Sequence, residues 1–116
     1  MHELSIAENI CDVAKTHLRS GQKLRSIHLC CGIFSGVVKS SLDFCFDLTA
    51  SRLGLEGVTL VVETPTAKGI CSDCGETTEV EEMWTPCKKC GYVPLSVEGG
   101  RELRITKIEI EEVDDV

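Results

Sequence analysis

The sequence predicts an α+β fold in which two helices pack on a three-stranded sheet, with a four-cysteine, zinc-ribbon-like domain inserted between two strands. Three observations carry this prediction: two segments with apolar residues at helical spacing, three β-branched or alternating segments, and a pair of CxxCG motifs in a stretch poor in large apolar residues. The chain has 116 residues, 42% hydrophobic and 27% charged. That suits one small domain with an appendage and leaves no room for multidomain enzyme machinery.

The first helix is expected at the start of the chain. Leu4, Ala7, Cys11, Ala14 and Leu18 recur at helical spacing, Ser5-x-x-Glu8 has the form of a capping box, and Gly21 can close the end. Lys23 to Phe34 then alternates, with Arg25, Ile27, Leu29, Cys31 and Ile33 expected to face the core. The second helix is expected over 38–53, burying Val38, Leu42, Cys45, Leu48 or Thr49, and Leu53 or Phe46, with Gly54 at its stop. Val58 to Thr64 is a β-branched run that reads as a strand. Arg101 to Glu112 reads as another. There Leu103 and Ile105 share one parity and Ile108 and Ile110 the other, which predicts a bulge near Thr106 or Lys107.

Between these last two strands lie Cys71-Ser72-Asp73-Cys74 and, twelve residues on, Cys87-Lys88-Lys89-Cys90, each followed by a glycine (Gly75, Gly91). Two residues between cysteines let one tight turn aim both sulfurs at one ion. The glycine can take positive φ, so that backbone N–H groups turn toward the thiolates. Two such turns facing each other make a closed tetrahedral sulfur site, which favours a structural Zn2+ and leaves no open position for chemistry. Its net charge of about −2 would be offset by Lys88 and Lys89. Around the knuckles the large apolar residues (Ile70, Val80, Met83, Trp84, Tyr92, Val93, Leu95, Val97) are too few to fold the segment without a staple. Thr64-Pro65-Thr66 and Gly99-Gly100 mark its limits, so residues 65–100 are expected to be the inserted domain and 1–64 with 101–116 the α+β domain. Iron at the same sulfurs, as in a rubredoxin-like carrier, is the alternative occupant.

The remaining candidates are ordinary. Cys11 and Cys45 lie on apolar helix faces, and adjacent Cys30 and Cys31 point to opposite sides of a strand and cannot jointly chelate an ion. His17 follows Ile6, Ile10 and Val13 along a helix side, and His28 falls on the polar face of its strand. No nucleophile–base pair, glycine-rich phosphate loop or carboxylate pair stands out, so no enzyme is expected. Net charge is −7, with 12 Lys+Arg against 19 Asp+Glu, and five of the acids fall in the last eight residues. That balance excludes an electrostatic grip on nucleic acid or anionic lipid. No apolar run reaches the about 18 residues of a membrane span and no signal peptide is evident, so the expected compartment is the cytoplasm with thiols reduced.

His2 is the last candidate. Its imidazole and amide, the Met1 amine and the Glu3 amide can form a planar nitrogen set, an environment suited to Ni(II) or Cu(II). Spacing alone leaves a frayed terminus as the alternative. The start Met1-His2-Glu3-Leu4-Ser5-Ile6-Ala7-Glu8, Gly36-Val37-Val38 with Leu42-x-Phe44-x-Phe46, the two knuckles, and Gly100-Arg101-Glu102-Leu103-Arg104-Ile105 with its IEIEE ending together resemble the HypA/HybF family of nickel metallochaperones. The resemblance spans essentially the whole chain. It implies a nickel site at Met1, His2 and Glu3 with His2 as essential ligand, and structural zinc at Cys71, Cys74, Cys87 and Cys90. It also implies nickel delivery to the [NiFe]-hydrogenase large subunit together with a HypB-type GTPase, and it is compatible with a homodimer. Unlike many relatives, the second knuckle has no proline after its first cysteine. The rival reading is a zinc-ribbon protein-interaction module without nickel transfer.

Overall fold

The computed structural model describes residues 3–113. The chain forms two compact units. One is built from the chain up to Cys30, Val37–Glu63 and the chain from Arg104 onward; the other is Cys31–Gly36 with Thr64–Leu103.

The first unit holds helices α1 (Glu3–Lys15) and α2 (Lys39–Arg52) and strands β1 (Gln22–Cys31), β2 (Thr59–Glu63) and β6 (Leu103–Glu112), in sheet order β2-β1-β6. This is the expected α+β arrangement. β1 runs parallel to β2, with Ile27 opposite Leu60 and Leu29 opposite Val62. β6 runs the other way along β1: Gln22 meets Glu112, Ser26 meets Glu109, and the Thr106 hydroxyl reaches the His28 carbonyl. In β6 the exposed pair Thr106-Lys107 separates the half-buried Leu103 and Ile105 from the half-buried Ile108 and Ile110. The burial phase therefore changes where the sequence parity does.

The helices pack on each other, and α1 buries Ile6, Ala7, Ile10, Cys11 and Ala14 while α2 buries Leu42, Phe46, Thr49 and Ala50. Several local expectations need correction. Ser5 lies inside α1 and cannot be its cap, and α1 ends at Lys15, well before Gly21. Leu4 is exposed, because the buried stripe is carried by Ile6 and Ile10 instead. Leu18 and His17 fall in the turn after the helix, where His17 N–H donates to the Ala14 carbonyl. Val38 precedes α2 as its N-cap, it and Leu48 are more than half exposed, and Phe46 takes the core position. The helix stops where Gly54, at φ +74°, accepts a left-handed turn that a side chain would resist. β1 ends at Cys31, short of Phe34, and its Arg25 is exposed while Leu24 is buried. At Gly32 the chain lies so close to Gly100 that a Cβ would sit 2.3 Å from the Gly100 carbonyl, and residues 32–35 turn there.

The second unit is a three-stranded sheet of β3 (Ala67–Ile70), β4 (Thr77–Val80) and β5 (Ser96–Glu98), in order β4-β3-β5 and antiparallel throughout. Its buried core is Ala67, Cys71, Val80, Cys87 and Leu95, against which Phe34 and Val97 pack. Residues 31–36 join this unit because Phe34 fills that core, Ile33 N–H donates to Pro65 and Phe34 N–H donates to Gly100.

Candidate metal centre

Each sulfur of the second unit is set by a short turn. In the first knuckle, Cys71 directly follows β3 and its N–H donates to the Glu76 carbonyl, while Gly75, at φ +77°, returns its N–H to the Cys71 carbonyl at 2.9 Å. The second knuckle repeats this: Cys87 N–H donates to Tyr92, and Gly91, also at φ +77°, donates to Cys87 at 2.9 Å. Only a residue without a Cβ reaches that φ freely, so the glycine after each pair is what closes the turn. The turn also points amides at sulfur: the Cys74 N–H lies 3.4 Å from Cys71 Sγ.

These turns face each other. Cys71 Sγ is 3.6 Å from Cys90 Sγ, Cys74 Sγ is 3.6 Å from Cys87 Sγ, and all four sulfurs lie within 4.8 Å of one another. Zn–S bonds of about 2.3 Å in a tetrahedron set sulfurs about 3.8 Å apart, so the cluster has the dimensions of a four-thiolate ion site. Cys71 and Cys87 are buried and Cys74 and Cys90 exposed, so the site lies at the surface with two ligands rooted in the core.

Without an ion the sulfurs hold their protons unequally. The Cys90 backbone N–H stabilises the Cys87 thiolate and, with the Lys89 N–H, lowers its pKa to about 6 against the opposing effect of burial. For Cys90 the Tyr92 N–H acts in the same sense, but burial and the three neighbouring sulfurs outweigh it and push the thiol up to about 12. An ion must therefore displace protons on binding.

The Lys88 ammonium, expected to offset the charge of the cluster, lies 3.8 Å from the Glu76 carboxylate. Its backbone carries a more specific role. Lys88 N–H donates to the buried Thr78 hydroxyl at 3.1 Å, tying the second knuckle to β4, and a proline at this position could not make that bond.

Met1 and His2 lie outside the described residues. Glu3 sits in the first turn of α1, where its carboxylate accepts the Val38 N–H at 3.4 Å. Glu8, one turn further, pairs with Arg52 at 3.2 Å, which reduces its effect on the positive end of the helix. The other thiols are not gathered at the cluster: Cys11, Cys30 and Cys31 are buried in place and Cys45 is half-buried. Burial first, and then the Asp12 charge, raises the Cys11 thiol. His28 faces Glu109, its Nε2 3.1 Å from a carboxylate oxygen that also accepts the Ser26 hydroxyl at 2.6 Å. Pairing across strands brings these three together, and period-2 reading could place His28 on the polar face but could not name its partner on a strand 81 positions away. Of the apolar residues counted for the second unit, Met83, Trp84, Tyr92 and Val93 are exposed, which the counting could not foresee.

No helix among the described residues is long and apolar enough to cross a membrane. The family model described as hydrogenase/urease nickel incorporation, metallochaperone, hypA matches residues 1–110. Among curated relatives, the hydrogenase maturation factor HypA of Chlorobaculum tepidum is 37% identical over 113 residues, covering 96% of this chain and 100% of the relative. That of Psychromonas ingrahamii is 34% identical over 113 residues, covering 96% and 99%. The solution structure of the Ni metallochaperone HypA from Helicobacter pylori shares the fold, with a TM-score of 0.60 at 20% identity, covering 99% of this chain and all of that one.

Proposed function

The chain belongs to the HypA family of hydrogenase/urease nickel-incorporation metallochaperones, which are not enzymes, and on that basis we propose a specific route for its nickel. Ni(II) is cargo, bound by Met1, His2 and Glu3, with His2 as the essential ligand. Zn2+ is resident, held by Cys71, Cys74, Cys87 and Cys90 in an inserted domain of residues 65–100, while 1–64 and 101–116 form the nickel-binding domain. The nickel passes to the [NiFe]-hydrogenase large subunit in the cytoplasm, with a HypB-type GTPase as second partner. The observation that carries this reading is the family match, which starts at residue 1 and so takes in Met1-His2-Glu3 together with both knuckles.

The chemistry of the donors supports the division of labour. Four thiolates at tetrahedral spacing satisfy a closed-shell ion completely and suit retention. Imidazole, amine and amide nitrogens suit a tetragonal Ni(II), and they compete with protons in mild acid because imidazole titrates near about 6.5 and a terminal amine near about 8. Nickel affinity is therefore expected to fall steeply below about pH 6.5. A site beside the positive end of α1 is electrostatically poor for a cation, which moderates affinity and suits a carrier.

The test is transfer. Nickel-loaded protein beginning at Met1 is mixed with metal-free large subunit, the GTPase and GTP, and nickel on the large subunit is measured after separation. Transfer by the parent and loss of transfer with His2→Ala support the proposal. Equal transfer by both would place the cargo ligands elsewhere, and no transfer by either would leave the zinc-dependent interaction module as the better account.

A further inference from the structure

The segment between β4 and the second knuckle exposes the chain's single tryptophan. Trp84 is 76% exposed and Met83 beside it 47% exposed. This is not a loose loop. Thr85 folds back on Glu82, with its N–H 3.1 Å and its hydroxyl 2.7 Å from the Glu82 carbonyl, and Glu82 N–H lies 3.4 Å from the same hydroxyl. The turn therefore holds Met83 and Trp84 at its tip, between β4 and Cys87. Keeping a large apolar pair in water is unfavourable by the transfer free energy of its surface, and an exposed Trp is among the residue types that most often anchor a protein interface.

The charge around the tip selects what can cover it. Between Lys68 and Lys88 the chain carries Asp73, Glu76, Glu79, Glu81 and Glu82 and no Lys or Arg. Glu76 is engaged by Lys88 and Glu79 accepts the Thr66 hydroxyl at 2.7 Å, while Glu81 and Glu82 immediately precede the apolar pair and are exposed. Anionic lipid and nucleic-acid phosphates are repelled by such a flank. A protein surface with an apolar slot rimmed by Lys or Arg is attracted, and its rim charges become paired as the slot closes on the ring.

We infer that the Glu82–Thr85 turn is a protein-docking knob, whose Met83 and Trp84 insert into an apolar slot on a partner protein that presents basic side chains to Glu81 and Glu82. That its partner is one of the two proteins of the nickel route rests on the function proposed above. The knob lies on the four-cysteine unit.

The experiment uses the full zinc-loaded chain and reads the emission of Trp84, its single tryptophan, after subtraction of the partner's own emission. Purified nickel GTPase and purified hydrogenase large subunit are titrated separately at low and high salt. The expected result is saturable binding of one of them with a blue shift, weakened by salt. Trp84→Ala should weaken that binding at least about tenfold, measured by calorimetry, and Glu81→Gln with Glu82→Gln should weaken it and remove most of its salt dependence, with zinc content unchanged in each variant. Binding that survives Trp84→Ala unaltered would overturn the knob while leaving the nickel route intact. Failure of both proteins to bind the parent would overturn both. A blue shift produced by phosphatidylglycerol vesicles, or by raising the concentration of the chain alone, with none produced by either protein, would replace the inference with a membrane or self-association surface.

Discussion

Glu109 shows how much one side chain depends on its neighbours. Its carboxyl is lowered to about 2, first by the Ser26 hydroxyl, then by His28, then by the Lys107 charge. Because the folded value lies below the ordinary 4.5, the stabilising contribution is present above about pH 4.5 and is lost as pH falls toward 2. Ser26→Ala should raise the Glu109 pKa toward the ordinary range, followed by NMR titration of the carboxyl carbon; an unchanged value would mean that the hydroxyl contributes nothing. Gly69 is constrained by packing instead. A Cβ there would lie 2.7 Å from both the Leu95 and Val80 side chains, two members of the second unit's core. Gly69→Ala should destabilise that unit by about 1–3 kcal/mol. Lys88→Pro should cost about 1–2 kcal/mol, since it removes the bond to the buried Thr78 hydroxyl. Both costs can be read from thermal melts, with free-thiol accessibility locating the loss in the metal unit. Neither the crowding at Gly69 nor the Lys88–Thr78 bond has a signature in the sequence, because each depends on a residue 10 or more positions away.

At the scale of elements, α2 gives the sharpest contrast. Phe46 is 1% exposed and Phe44 65%, although two positions separate them and the pattern Leu42-x-Phe44-x-Phe46 does not rank them. Phe46→Ala should cost about 3–5 kcal/mol, whereas Phe44→Ala should change stability by no more than about 0.5 kcal/mol. Similar losses in denaturant melts would mean that the face is misassigned. Helix and strand existence was legible because periodicity survives in a single chain: Ala7, Cys11 and Ala14 mark α1, and the parity change in Arg101–Glu112 marks the phase change of β6. Ends and faces were less legible. The capping-box pattern at Ser5 occurs within a helix, and Leu4 satisfies the helical spacing as well as Ile6 does, so local rules alone could not choose between them. β1 stops at Cys31 because Gly32 lies against Gly100, a contact between chain segments that no alternation pattern encodes.

At the scale of the molecule, the two units differ in what holds them. The first has a buried helix pair on a sheet; in the second, Cys71 and Cys87 are themselves part of the core with Ala67, Val80 and Leu95. Removing the ion by chelation at neutral pH should therefore unfold the second unit and leave the first folded, seen as loss of amide protection in 67–98 while α1 and α2 keep theirs. Uniform loss would make the two a single cooperative unit. The four-cysteine centre was fully legible because spacing and the trailing glycines determine it locally. The nickel ligands rest on resemblance, since a Met-His-Glu beginning has no structural signature of its own.

The central claim is that cargo and resident metal occupy different ligands. The most direct measurement is metal analysis of untagged protein beginning at Met1, exposed to nickel and desalted, beside His2→Ala. The account predicts about one zinc in both proteins and about one nickel only in the parent. Nickel retained in full by His2→Ala, or zinc lost together with nickel in that variant, would contradict it.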